Sequence, residues 1–406
     1  MSEMSFLEKL LDGVNVEWRP LSEALNRTKG TKITAAQMRE LHKEGAPIKI
    51  FAGGKTYAFF DFIDIPKKDI NEEPSIIVKS RGFIEFEYYD KPFSHKNEMW
   101  SYNANGKQLD IKFVYYFLKV HEPYFQNIGS KMQMPQISIP DTDNFRIPIP
   151  CPENPKKSLE IQAEIVHILD AMTAHTAELT AELTARKKQY DYYRDKLLSF
   201  EGIKVNCLPM GYESVGEFIR GGGLQKKDFT ESGVGCIHYG QIYTHYGTFA
   251  KKTKSFVSVD FFKKARKAKY GDLVIATTSE NDEDVCKAVA WLGAEEIAVS
   301  SDACIYRHKL NPKFVSYFFQ TEYFQKQKRQ FITGTKVRRV NADDLAKILI
   351  PIPSPEEQAR IVAILDKFDA LTSSLAEGLP REIELRQKQY AYYRDLLLSF
   401  PKPPTI

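Results

Sequence analysis

RKKQYDYYRDKLLSF at 186–200 and RQKQYAYYRDLLLSF at 386–400 agree at twelve of fifteen positions across an offset of 200 residues. Agreement this dense is an internal repeat, and it governs how every other segment is read. Upstream, IQAEIVHILD (161–170) matches EQARIVAILD (357–366), and IPIPCP (147–152) matches IPIPSP (350–355). Further back, FVYYFL (113–118) matches FVSYFF (314–319), and Gly129-Ser130-Lys131 matches Gly334-Thr335-Lys336. The N-terminus continues the cycle. Lys9-Leu10-Leu11 followed by Val16 and Pro20-Leu21 resembles Lys196-Leu197-Leu198 followed by Val205 and Pro209-Met210. The 406 residues therefore divide into a helix end (1–14), a head (15–150), a helical arm (151–205), a second head (206–350) and a second arm (351–406).

The arms carry the helical signal. In the first, Ile161, Ile165, Ile168, Met172, Thr176, Leu179 and Leu183 follow three- and four-residue steps, and Tyr190, Tyr193 and Leu197 resume them after a seven-residue gap. This is a coiled-coil seam with one irregularity. About 40 helical residues at 1.5 Å each span ~60 Å. The second arm has Ile361, Ile364, Leu365, Phe368, Leu371, Leu375, Leu379, Tyr390, Tyr393 and Leu397. Gly378 and Pro380 interrupt it, with Pro380 suited to the first turn of a restarted helix. A narrow seam needs a partner, and the nearest is the other arm running antiparallel. The alternative is two core helices of a single domain. Inside the first arm, Thr176-Ala177-Glu178-Leu179 is followed at once by Thr180-Ala181-Glu182-Leu183. Each four-residue copy adds ~6 Å and ~40° of rotation to a helix, so the pair reads as a ruler.

Each head opens with turn-rich strands, such as Ile76–Val78 with Phe83–Phe86 and Leu273–Ala276 with Glu296–Val299. A helix candidate (111–120; 312–326), a Gly-Ser/Thr-Lys loop and the Ile-Pro-Ile-Pro exit follow. The fold class is α+β: two globular α/β heads, two long helices and a pseudo-two-fold repeat. Outside the exit half the heads barely resemble one another, which suits a shared scaffold bearing two different recognition faces.

The 57 basic and 53 acidic residues leave a net charge of only +4. The distribution says more. Residues 15–150 hold 19 basic and 17 acidic side chains, residues 206–350 hold 22 and 16, and the remaining segments are slightly acidic. Basic heads suit a polyanion such as DNA. Candidate contacts are Lys79, Arg81, His95 and Lys131 in the first head, and Lys226, Lys227, Tyr239, Gln241, Lys336, Arg338 and Arg339 in the second. Arg and Lys reach guanine edges, Gln pairs with adenine, and Lys and Ser/Thr hold phosphates. The strongest cluster is Gly334-Thr335-Lys336-Val337-Arg338-Arg339, where three cations follow a glycine.

Catalytic and metal signatures are missing. No Gly-x4-Gly-Lys-Ser/Thr loop occurs. Gly221-Gly222-Gly223 leads into Leu-Gln-Lys-Lys and reads as a turn. Asn311-Pro312-Lys313-Phe314 superficially resembles an amino-methyltransferase motif, but Lys313 stands where that motif has proline, and Asn311 reads as a helix cap. His238 and His245 have no carboxylate between them, and Asp141 and Asp143 lack a downstream acid-x-Lys. The five cysteines, Cys151, Cys207, Cys236, Cys286 and Cys304, form no Cys-x-x-Cys pair, so a reducing cytoplasm is the expected compartment. The acidic, amphipathic N-terminus is not a signal peptide, and no apolar run of roughly 18 residues suggests a membrane span.

Two variable heads, each followed by Pro-x-Pro, Ile-Leu-Asp and Tyr-Tyr-Arg-Asp, resemble the specificity subunit of type I restriction–modification enzymes. The tandem Thr-Ala-Glu-Leu units and the C-terminal GLPREIELRQKQY segment resemble its type IC branch. The resemblance implies that the heads are target-recognition domains, each reading one half of a bipartite, asymmetric DNA sequence, with the helices setting the gap. It implies two methylation subunits docked on the arms, around Tyr190, Tyr193, Arg194, Tyr390, Tyr393 and Arg394, and two motor/endonuclease subunits. S-adenosylmethionine, ATP and Mg would sit on those partners, and this chain would carry no catalysis. A coiled-coil adaptor with two protein-binding heads is the alternative. A methyltransferase or nuclease in its own right would need a cofactor or metal site that the motifs do not supply.

Overall fold

The computed structural model describes residue 10 and residues 13–106, 108–130, 133–200, 202, 204–373 and 378–401. Most of the helix end expected at 1–14 lies outside the described residues, and Leu10 packs against the first core. The chain mixes helix and sheet and divides into two compact units, one reaching Ala177 and resuming at Leu385, the other Glu178–Glu384. The helix Pro155–Ser199 contributes to both units, as does Leu379–Leu397.

In the first unit, Val16–Pro20 pairs antiparallel with Arg146–Pro150, so the head's first and last strands close on each other. Between them lie a four-stranded sheet (Leu25–Thr28, Trp100–Ala104, Ser75–Lys79, Glu85–Tyr89) and a three-stranded one (Tyr57–Phe60, Ile48–Phe51, Phe93–His95). Ile111–Val120, the expected helix, packs on the four-stranded sheet. In the second unit the closing pair is Asn206–Pro209 with Leu349–Ile352. It encloses two five-stranded sheets. One is centred on Leu273–Ala276, buried at every residue because both faces are covered, Leu273 and Ile275 in one core and Val274 and Ala276 in another. The expected helix over 312–326 is two helices, Pro312–Phe318 and Glu322–Arg329, because Thr321 caps the second through the Phe324 amide. Both Ile-Pro-Ile-Pro exits are strands, with Ile147 and Ile350 fully buried.

The same lock joins head to long helix in each unit. In the first, the Asp110 carboxylate accepts from the Lys112 and Phe113 amides and starts the head helix. The Asp110 amide donates to Gln162 Oε1 at 2.8 Å. One turn on, Lys112 Nζ lies 2.7 Å from Asp170, and the Tyr116 hydroxyl donates to Asp170 at 2.5 Å. In the second, Asn311 caps Lys313 and Phe314, as its sequence context suggests, and its amide donates to Gln358 Oε1 at 2.8 Å. Lys313 Nζ lies 2.6 Å from Asp366, and the Tyr317 hydroxyl donates to Asp366 at 2.7 Å. Gln162 and Gln358 are both buried. Burial and the neighbouring carboxylate push both tyrosine pKa values well above the usual phenol range.

The long helix buries Ile161, Ile165, Val166 and Leu169 in the first core and Tyr190 and Leu198 in the second. Val166, Leu169 and Leu198 lie outside the expected seam. Between them, Ile168, Met172, Thr176, Leu179, Leu183 and Arg186 are half-buried at three- and four-residue steps, as a seam requires. The Thr176 hydroxyl donates to the Met172 carbonyl, and Thr184 to that of Thr180, so these threonines sit in the helix without unmet hydroxyls. The second arm is Pro355–Ser373 followed by Leu379–Leu397, with Gly378 left-handed at φ +81° and Pro380 in the first turn. Within the second unit, Tyr193 stacks on Phe368 with centroids 5.7 Å apart.

Replacing Tyr317 by Phe removes a charge-assisted hydrogen bond from the lock and should cost about 2 kcal/mol. Tyr116→Phe should cost a similar amount, and denaturant midpoints of the two variants check this. His308, whose Nδ1 accepts from the Leu310 amide at the entry to the Asn311 cap, is pushed down to about 4 by burial. Below its ordinary 6.5 the unfolded chain takes up a proton that the folded ring refuses. Stability should therefore be complete above pH 6.5 and fall as pH drops toward 4. Melting temperatures across that window, with a shallower decline for His308→Gln, check the sign.

Candidate nucleic-acid interface

The second unit's cationic loop grows out of its central strand. After Leu273–Ala276, the Thr277 amide donates to the Asp302 carbonyl, and Thr278–Ser279 pairs with Arg338–Arg339. Thr333 and Arg339 exchange both backbone hydrogen bonds, closing the loop between them. Gly334 makes the turn possible, with φ +87° and the Val337 carbonyl 2.1 Å from where a Cβ would stand. Lys336 and Arg339 are exposed. Arg338 is half-buried, paired with Asp282 at 2.7 Å, and also donates to the Gly334 carbonyl. Asp282 belongs to the acidic stretch Glu280–Asp284. That stretch is held from below by Lys328, a fully buried lysine donating to the carbonyls of Glu283 and Val285 at 3.0 and 2.9 Å. Burial lowers the Lys328 pKa. Among the described residues, two of the loop's three cations thus face solvent uncompensated, and the third is neutralised.

The other candidates in this unit separate just as clearly. Lys226 and Lys227 are exposed on a short 3-10 turn that starts where the Asp228 carboxylate accepts from the Gln225 amide. Gln241 does not offer its amide to a base. Its Oε1 accepts from the His238 amide and its Nε2 donates to Ser255, so it caps the helix Tyr239–Thr244. Tyr239 is half-buried, its ring 4.6 Å from that of His238.

In the first unit the structure corrects two residues. Lys79 is buried between Glu85 and Glu87, at 3.2 and 2.7 Å. Glu87 also pairs with Lys49, and the ammonium groups hold its carboxyl below the usual range. His95 is fully enclosed beneath Gly30, bonding to Thr28 and the Lys96 carbonyl, and burial lowers its pKa. Neither reaches the surface, because every residue of the strands Ser75–Lys79 and Phe93–His95 is buried. Arg81 is exposed and donates to Gln136. Lys131 lies outside the described residues.

On the arms, Tyr190 is core rather than surface, and Arg194 is buried over its ring while pairing with Asp191 and Asp195. Tyr390 is half-buried, with Arg394 over it and paired with Asp395. The exposed rings are Tyr192 and Tyr193, and Tyr392 and Tyr393 at the repeated positions. The motif alone does not single out Tyr192 and Tyr392, though two residues along the helix from Tyr190 and Tyr390 places them on the opposite side.

A family model for the type I restriction modification DNA specificity domain matches residues 19–186 and again 212–385. The chain belongs to that family. The EcoR124I/EcoR124II specificity subunit of Escherichia coli is 36% identical over the full length of both chains. A putative type I restriction enzyme specificity subunit of Haemophilus influenzae is 30% identical over 98% of each. Among solved structures, the S subunit of a type I system from M. genitalium superposes with a TM-score of 0.56 over 96% of this chain and 98% of that one, at 16% identity. A chain from a study of complex assembly and conformational transition in the type I system gives 0.58 over 94% and 97%, at 14% identity. Both show the same fold. Family membership decides for a non-catalytic specificity subunit with DNA-recognition domains and against the protein-binding adaptor. No described helix is long and apolar enough to cross a membrane.

Replacing Lys336 and Arg339 together by Ala should lower the slope of log affinity against log salt by about 1.8, at ~0.9 per phosphate contact. Arg338→Ala should change the slope less, since Asp282 already compensates that charge. Titrations of duplex DNA at several salt concentrations distinguish the two.

Proposed function

We propose that each unit reads one half of a bipartite, asymmetric DNA target and that the long helix sets the unread gap between the halves. The observation that supports this is one scaffold carrying two readers. The units share the closing strand pair, and the head lock repeats its Gln, Lys, Tyr and Asp, with Asp110 as the cap in one and Asn311 in the other. Yet one carries a four- and a three-stranded sheet and the other two five-stranded sheets. Common mechanics with unlike faces is what recognition of two unlike half-sites demands.

In this reading two methylation subunits dock on the repeated arm surfaces. Tyr192, Tyr193, Tyr392 and Tyr393 meet them, while on the same helix segments Arg194 packs over Tyr190 and Arg394 over Tyr390. Exposed paired aromatics at equivalent positions suit an interface formed twice. Two motor/endonuclease subunits complete the assembly in the cytoplasm. S-adenosylmethionine, ATP and Mg are held by those partners, and this chain supplies only the address.

Thr176, Leu179, Thr180 and Leu183 form the ruler. The division between the units falls inside the first Thr-Ala-Glu-Leu copy, so adding residues there lengthens only helix. Inserting a third copy after Leu183 should preserve both half-sites and widen the gap between them. Mapping methylated adenines in DNA from cells expressing the complex reads this directly, and an unchanged target would reject the ruler.

A further inference from the structure

Gly221-Gly222-Gly223 lies between the strand Gly216–Arg220 and the 3-10 turn Lys226–Asp228. Packing dictates the first glycine and crowds the second. A Cβ on Gly221 would stand 2.0 Å from the Ser300 carbonyl oxygen, and one on Gly222 would stand 3.1 Å from the Arg266 amide nitrogen. Gly223 differs. Its φ lies outside the left-handed region, and a Cβ there would meet nothing within 4 Å. The fold does not require glycine at 223, yet the residue presents bare main chain to solvent.

Cations surround this bend. Arg266 lies against Gly222. Lys226 and Lys227 follow on the adjoining turn. Phe261 and Phe262 of the helix Val259–Lys264 join Leu224 in one small core with Val257, so the helix that ends at the exposed Lys264 packs against the residue that follows the bend. Among the described residues, Lys226, Lys227, Lys264 and Arg266 form no ion pair, whereas Lys263 pairs with Asp260 at 2.9 Å. The Asp228 carboxylate is turned back onto the Gln225 amide. The contrast with Arg338, already compensated by Asp282, is plain. An open glycine main chain flanked by four uncompensated cations suits a phosphate, which needs close approach and positive charge with little shape.

We propose that this bend is a seat for the DNA phosphate backbone in the second unit. Gly223 admits the strand to contact with the main chain, and Lys226, Lys227, Lys264 and Arg266 neutralise successive phosphates. This rests on the DNA-reading function proposed above and adds where the backbone, as distinct from the bases, is held. The seat carries no sequence information, so its loss weakens cognate and unrelated DNA alike.

The test uses the full chain assembled with its methylation subunits. The probes are a duplex carrying the mapped target and a scrambled duplex of equal length. Gly223→Glu places a carboxylate in open space within the seat. It should leave the melting temperature unchanged while weakening binding to both duplexes about tenfold. The triple variant Lys226→Ala, Lys264→Ala, Arg266→Ala should lower the salt slope by about 2.7 and leave the mapped methylation target unaltered. Wild-type affinity and slope in both variants, with the wild-type complex still discriminating target from scrambled duplex, would overturn the seat and leave the DNA-reading function standing. If the wild-type complex does not discriminate the two duplexes, the reading of function fails, and the seat with it.

Discussion

A buried glutamine amide and a shared aspartate hold each reader to its long helix, and the rest of the architecture depends on that junction. Gln162 and Gln358 each accept from the amide just before a head helix, a donor without an intrahelical partner. Asp170 and Asp366 each take an ammonium and a phenol from the next turn of that helix. The polar groups are thereby satisfied inside an otherwise apolar contact, where an unmet partner would be expensive. A junction set by directional bonds fixes an orientation that grease alone would leave free to slide. Because it occurs twice with the same residue types, two otherwise different heads are mounted in the same way.

Once the mounting is fixed, the heads are free to diverge, and their charge shows how far they have. In the first unit, Lys49, Lys79, Lys112 and Lys119 are consumed by internal carboxylates. In the second, Lys226, Lys227, Lys264, Arg266, Lys336 and Arg339 stay uncompensated at the surface among the described residues. The second head carries the larger net positive charge, 22 basic against 16 acidic residues where the first has 19 against 17. The first keeps exposed cations outside ion pairs as well, at Lys29, Lys55, Lys67, Lys68 and Lys91 among the described residues.

The repeat, the helical arms, the helix 111–120, the cap at Asn311 and the recurrence of the Ile-Pro-Ile-Pro exit are all legible in the order of residues, whereas the strand character of that exit is not. They rest on periodicity, capping chemistry and self-similarity, which are local properties. The lock is legible in part. Lys-x3-Tyr recurs at 112/116 and 313/317, and Gln-x7-Asp recurs at 162/170 and 358/366. Nothing in linear order says that the two patterns meet. The individual contact residues fare worst, and for a definite reason. Lys79, His95 and Gln241 have side chains able to recognise DNA, but two are buried and the third is spent on a helix cap.

The doubled plan, the long helices with their tandem spacer, and family membership thus follow from the amino-acid order alone. Each is written in the spacing of residues that are neighbours along the chain. Which cations are available is settled by folding, because compensation depends on carboxylates brought close from distant segments, as Asp282 is to Arg338. Folding likewise makes Tyr190 core and Tyr192 surface, since which side of a helix is covered depends on what packs against it.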